Sequence, residues 1–185
     1  MTTGRILLAS LALGFAAVAS ASDLDFNLSN SAFRFGYAFP VTDTGLTADV
    51  GYLHNEDNGD LLHVGIQIVD DAGQGKEPFT VGLGVRAANV NGTGVNGTAV
   101  AIGGFFRYVF PEYNRFALGG AAYIAPSVTA FGDLDGYYEY GLRGEYRVLK
   151  RATLYLGVRE VRGNFATGGN QTIDDGLNVG ISLDF

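Results

Sequence analysis

From residue 23 onward, apolar side chains recur at every second position, and no segment sustains the 3.6-residue spacing of an amphipathic helix. Phe33, Phe35, Tyr37 and Phe39 alternate with Arg34, Gly36 and Ala38. Leu62, Val64, Ile66 and Ile68 alternate with His63, Gly65 and Gln67, and Phe79, Val81, Leu83 and Val85 with Thr80, Gly82, Gly84 and Arg86. The second half repeats the pattern. Val100, Ile102, Phe106, Tyr108 and Phe110 oppose Ala101, Gly103 and Arg107, while Tyr138, Tyr140, Leu142 and Tyr146 oppose Glu139, Gly141, Arg143 and Glu145. Leu154, Leu156 and Val158 oppose Thr153, Tyr155, Gly157 and Arg159, and Leu177, Val179, Ile181, Leu183 and Phe185 oppose Gly176, Asn178, Gly180, Ser182 and Asp184. Period two means strands with two chemically distinct faces.

Weaker runs at 23–28, 45–53 and 115–125 bring the expected strands to ten, an even number suited to an antiparallel closed barrel, with eight left open because the first run is short. Most runs approach the ~9–11 residues that cross a bilayer with tilt. With the C-terminus in the periplasm, connections counted backwards should alternate between long outer loops and short inner turns. Residues 164–171, 126–136 and 89–97 are expected as long outer loops, with Asn-Gly pairs in the last as tight-turn formers. Residues 149–151 and 111–114 are short. The alternation weakens towards the N-terminus, where 70–78 is long for an inner turn and 29–31 short for an outer loop.

Composition decides which face points where. The polar face is built from Gly, Ala and Arg rather than from the Lys, Glu and Thr of a water-facing sheet, and the two lysines, Lys76 and Lys150, both fall in connections. Small and charged residues together suit a narrow lumen filled by side chains, with the Phe- and Tyr-rich face turned to lipid. The expected fold is therefore an all-β, transmembrane, antiparallel up-and-down β-barrel. A soluble secreted β-barrel with its apolar face inward is the rival. Arg34, Arg86, Arg107, Arg143 and Arg159 are expected to pair across the lumen with Asp49, Glu139, Glu145 and Asp174. Glycine is enriched, 28 of 185 residues against a usual share near 7%; many of these glycines lie at alternate positions within the runs, and 47% hydrophobic residues argue against low-complexity disorder.

The ends agree with this. Residues 1–21 read as a cleaved secretory signal: Arg5, an apolar run from Ile6 to Ala19, and the small-residue site Ala19-Ser20-Ala21. Residues 22–185 are then one outer-membrane domain. Without Arg5, 11 basic residues remain against 19 acidic ones, a charge of −8 that disfavours nucleic acid. The final strand, with Asn178, Gly180, Leu183 and the terminal aromatic Phe185, resembles the assembly signal of bacterial outer-membrane barrels. That resemblance implies the barrel-assembly machinery as a partner, beside outer-membrane lipid and lipopolysaccharide. A monomer is expected.

Candidate chemistry is thin. His54 lies at a strand end beside an acidic turn and His63 in mid-strand on the lumen face, and neither has a serine nearby in sequence for a nucleophile–base pair. His63 reads as a lumen hydrogen-bonding residue. Gly82-Leu-Gly84 lies inside a strand with no following helix and is no dinucleotide loop. The acidic groups Glu56, Asp57 and Asp60; Asp133 and Asp135; and Asp174 and Asp175 lack Ca²⁺-loop spacing and read as solvated loop charge. Neither cofactor nor metal is expected. The chain reads as non-enzymatic, a narrow or plugged pore or a structural or surface-interaction protein. The alternatives are a lipid A- or phospholipid-modifying enzyme and a soluble binding protein.

As a whole the chain resembles the YfaZ family of outer-membrane proteins. Ser22-Asp-Leu-Asp-Phe-Asn-Leu28, Gly82-Leu-Gly-Val-Arg86, Tyr123-Ile-Ala-Pro-Ser-Val128 with Phe131-Gly-Asp133, Leu156-Gly-Val-Arg159 and the strand at 174–185 carry the likeness. It implies location and architecture and brings no catalytic site.

Overall fold

The computed structural model describes residues 22–71 and 78–185; residues 1–21, expected from the sequence to be a signal segment, and residues 72–77 of one connection lie outside it. Its strands are β1 (Asp23–Leu28), β2 (Ala32–Pro40), β3 (Leu46–Asn55), β4 (Gly59–Asp71), β5 (Phe79–Gly92), β6 (Val95–Val109), β7 (Phe116–Ala125), β8 (Ala130–Gly132), β9 (Leu134–Leu149), β10 (Ala152–Phe165) and β11 (Gly169–Asp184). Ten of them form a ring in which every strand pairs antiparallel with its sequence neighbours. Three-residue β8 stands outside it, paired to the start of β6. The ring closes where β1 meets β11, with Asp23 opposite Asp184 and Leu28 opposite Val179. An eight-strand arrangement is thereby excluded, and the short 23–28 run is a full member of the wall.

The connections depart from the sequence expectation. Residues 164–171 and 89–97 are mostly strand: β10 and β11 pair up to Phe165 opposite Gly169, and β5 and β6 pair up to Gly92 opposite Val95. Neither Asn-Gly pair makes the β5–β6 turn. Thr93 and Gly94 do, with Gly94 at φ 75°, a left-handed conformation that glycine adopts without steric cost. Period two alone cannot mark where a strand leaves the bilayer, because a hairpin standing above it keeps the same alternation.

The apolar face is on the outside. Leu62, Val64, Ile66 and Ile68 on β4, Val100 and Ile102 on β6, Leu154, Leu156 and Val158 on β10, and Leu177 and Val179 on β11 are exposed, Leu83 reaching 72%. A water-soluble chain does not surround itself with an apolar belt of this extent, so the soluble-barrel reading fails. On β7 the outward positions run from Phe116 to Ile124. Those eight steps of ~3.3 Å at a tilt near 40° give a height of about 20 Å, comparable to the ~25 Å belt of outer-membrane barrels.

Aromatic pairs bound the belt at both rims. Near the termini they are Tyr37–Phe39, Phe79–Tyr108, Tyr108–Phe110 and Phe116–Tyr146; near the opposite end, Phe33–Tyr52 and Tyr138–Tyr140. Amphipathic rings at both boundaries are what a bilayer with two headgroup layers selects.

Candidate functional site

Ten tilted strands spaced ~4.8 Å apart enclose a tube about 20 Å across from backbone to backbone. Arginine and tyrosine side chains reach far enough to fill such a tube from opposite walls. Glycine sets where they fit. A Cβ on Gly51 would collide with the His63 ring, one on Gly82 with Phe105, and one on Gly180 with Tyr155. Each glycine is the vacancy into which a cross-strand neighbour lies.

Three layers follow one another along the axis. At the end away from the termini the lumen is apolar: Leu53, Leu61, Val90, Leu134, Tyr137, Val161, Phe165 and Ile173 form one cluster with several alanines. Leu61, Val90, Val161 and Ile173 have no exposed surface at all.

Below the apolar cap sits a charged layer centred on Glu139, which is only 5% exposed. Arg34 Nη1 donates to Glu139 Oε1 at 2.5 Å, Tyr137 Oη donates to Oε2 at 2.7 Å, and Arg86 Nη1 donates to Oε2 at 3.3 Å. Arg86 Nη2 lies 3.2 Å from Asp49 Oδ2, which is also 3.2 Å from His63 Nε2. The Arg86 guanidinium stacks 3.8 Å above the Tyr123 ring, whose hydroxyl donates to Gln67. Each charge in this layer faces an opposite one, the condition under which buried ions are tolerated.

A chain of polar contacts then descends one wall. Arg159 Nε donates to Asp174 Oδ2 at 2.9 Å and Arg159 Nη1 donates to Asn27 Oδ1 at 2.8 Å. Asn27 Nδ2 donates to the Tyr155 hydroxyl, which donates to Asp25 Oδ1 at 2.7 Å. Arg143 joins Asp25 to Glu145, and Arg107 Nε donates to Glu145 Oε2 at 2.6 Å.

The nine residues singled out as lumen ion-pair candidates are thus placed as follows. Arg34 and Arg86 meet Glu139, Arg86 also meets Asp49, Arg107 and Arg143 meet Glu145, and Arg159 meets Asp174. Asp174, grouped with Asp175 as loop charge, is instead a buried partner of Arg159. A β-bulge at Ile173, between the pairs Val161–Asp174 and Arg162–Thr172, turns both Ile173 and Asp174 inward. Sequence reasoning placed Tyr155 on the lumen face but missed the apolar cap and the relay that joins Tyr155 to Asp25 and Asn27. Their signal was present: Leu53 shares the parity of Asp49, Leu61 that of His63, and Val161 that of Arg159.

The histidines are held by carboxylates. His54 Nδ1 lies 2.7 Å from Asp60 Oδ1, which also accepts from the Tyr52 hydroxyl, and His63 faces Asp49. In each case the ring partner is an aspartate rather than a hydroxyl nucleophile. Among the described residues no group of three or more His, Cys, Asp or Glu side chains is arranged to hold a metal ion. In the terminal strand, Asn178 and Gly180 face the lumen, Leu183 the outer surface, and Phe185 N donates to Ser22 O at the rim.

Among solved structures, the KdgM porin shows a TM-score of 0.48 at 12% identity, over 90% of this chain and 99% of that one. The same porin in complex with disordered oligogalacturonate gives 0.48 at 11% identity over the same shares. Among curated proteins, the outer membrane protein YfaZ of Escherichia coli (strain K12) is 26% identical over 192 aligned residues, covering 98% of this chain and 99% of that protein. The YfaZ family, described as YfaZ precursor, matches residues 3–185. The chain belongs to the YfaZ family and is an outer-membrane β-barrel.

Proposed function

We propose that this protein is a non-enzymatic outer-membrane barrel with a plugged lumen, serving a structural or surface-interaction role rather than bulk diffusion. The carrying observation is the stack of an apolar cap over the Glu139 layer. An ion on the axis would meet a dry cluster at one end and already-paired charges beneath it. Wide aqueous channels come with about 16–18 strands, and ten leave no comparable bore.

Export by a signal cleaved near Ala21, assembly through the terminal strand, a monomeric state, and contact with outer-membrane lipid and lipopolysaccharide complete the proposal. The end bearing the termini then faces the periplasm and the apolar-capped end the outside. Liposomes containing the purified protein are expected to swell in sugar or amino-acid solutions no faster than empty ones. Rapid swelling would overturn the plugged lumen. Mass spectrometry of lipid A and phospholipids from cells with and without the protein is expected to show identical acyl patterns, and an altered pattern would overturn the non-enzymatic reading.

A further inference from the structure

The wall is not zipped evenly. Phe185 N donates to Ser22 O, so odd-numbered residues of β11 direct their N–H and C=O groups at β1. That ladder ends at Val179 opposite Leu28, because β1 stops there and turns back through residues 29–31 into β2. On its other side β11 stays paired with β10 up to Gly169. Leu177 and Asp175 therefore present backbone groups to a side where, among the described residues, no strand pairs with β11. Both side chains are exposed.

An open edge cannot sit in hydrocarbon, where unpaired backbone groups cost several kcal/mol each. Leu177 lies beside Val158, the last apolar outward residue of β10 before Glu160 and Arg162. This places the gap at the boundary between acyl chains and headgroups. What closes it is side chain. Asp174 Oδ1 accepts from Ser29 Oγ at 2.9 Å and from Asn55 Nδ2 at 3.5 Å, while Arg159 holds the other oxygen of the same carboxylate. Immediately behind this latch lie Ile173, Leu53 and Leu61 of the apolar cap.

We propose that the outer half of the β11–β1 seam is a lateral port, latched by Asp174, through which a single-chain amphiphile of the outer leaflet reaches the apolar cap. The apolar chain would lie among Leu53, Leu61 and Ile173, and its polar head at Ser29, Asn55 and Asp174. A backbone ladder cannot open without losing many bonds together, whereas here β11 is held to the β1–β2 turn and to the end of β3 by the Asp174 carboxylate and by the packing of Ile173 against Leu53 and Leu61.

The chain contains no cysteine, so a Leu53→Cys reporter is unique. In vesicles, its labelling by a long-chain N-alkyl maleimide is expected to be slow with Asp174 intact and at least tenfold faster with Asp174→Ala. A paired Ser29→Ala, Asn55→Ala variant, which leaves the Arg159–Asp174 pair buried and matched, should move the rate the same way by less, and serves if Asp174→Ala does not fold. The alkyl reagent should outrun a water-soluble maleimide. Unchanged labelling in variants that keep heat-resistant gel mobility would overturn the port. So would faster labelling by the water-soluble reagent, or an equal gain at Thr153→Cys near the opposite rim, which would mean global loosening. The readout is access to Leu53 rather than conduction, so its failure is distinct from failure of the plugged-lumen reading.

Discussion

Glu139 accepts from Arg34, Arg86 and Tyr137 inside a layer that is almost wholly buried. Replacing it with alanine leaves two guanidinium groups without this carboxylate, and removing one partner of a buried ion pair costs about 3–5 kcal/mol. Glu139→Ala is therefore expected to lower the midpoint of urea unfolding, followed by the gel mobility of unheated samples, far more than alanine at Asp184 on the exposed rim. Equal midpoints would mean the layer does not support the barrel. Period two put Arg34 and Glu139 on one face of their strands. That they meet each other depends on ring closure and register between positions 105 residues apart, which no local pattern encodes. The relay through Asp25, Asn27 and Tyr155 stayed hidden for the same reason, since Tyr155 joins Asn27 across 128 positions.

Strands β4 to β6 and β9 to β11 were legible because branched and aromatic residues alternate with glycine or arginine over whole crossings. Their upper limits were not, because β10 and β11 carry the same alternation above the belt. The bulge at Ile173 was equally invisible, since an extra residue shows only against a paired strand. Outward orientation makes a sharp claim about Leu156, which is 61% exposed in mid-belt. Leu156→Lys is expected to destabilise the barrel in lipid by about 2–4 kcal/mol, the cost of a cation at the bilayer midplane, measured by reversible unfolding in vesicles. A neutral result would mean that this face does not meet lipid. The terminal strand carries a second prediction. Phe185 is exposed at the rim and donates only its backbone N–H to Ser22, so its removal should leave the folded barrel's stability within about 0.5 kcal/mol, as for other surface changes. The amount of assembled protein in the outer membrane should fall severalfold. Normal assembly levels would remove the residue from the assembly signal.

For the whole molecule, closure of a ten-strand ring by its first and last strands makes the fold non-local, with Asp23 of β1 opposite Asp184 of β11. The ring's class and approximate strand number could be read from alternation. The lumen's division into an apolar cap above paired charges could not, because it emerges only when inward positions from all strands are brought to common heights. That division is the basis for regarding the barrel as closed. Single-channel recording of the purified protein in a planar bilayer tests it most directly. The proposed plug predicts no stable conductance steps from the native protein over a range of voltages. Large, long-lived open steps from the native protein would contradict it.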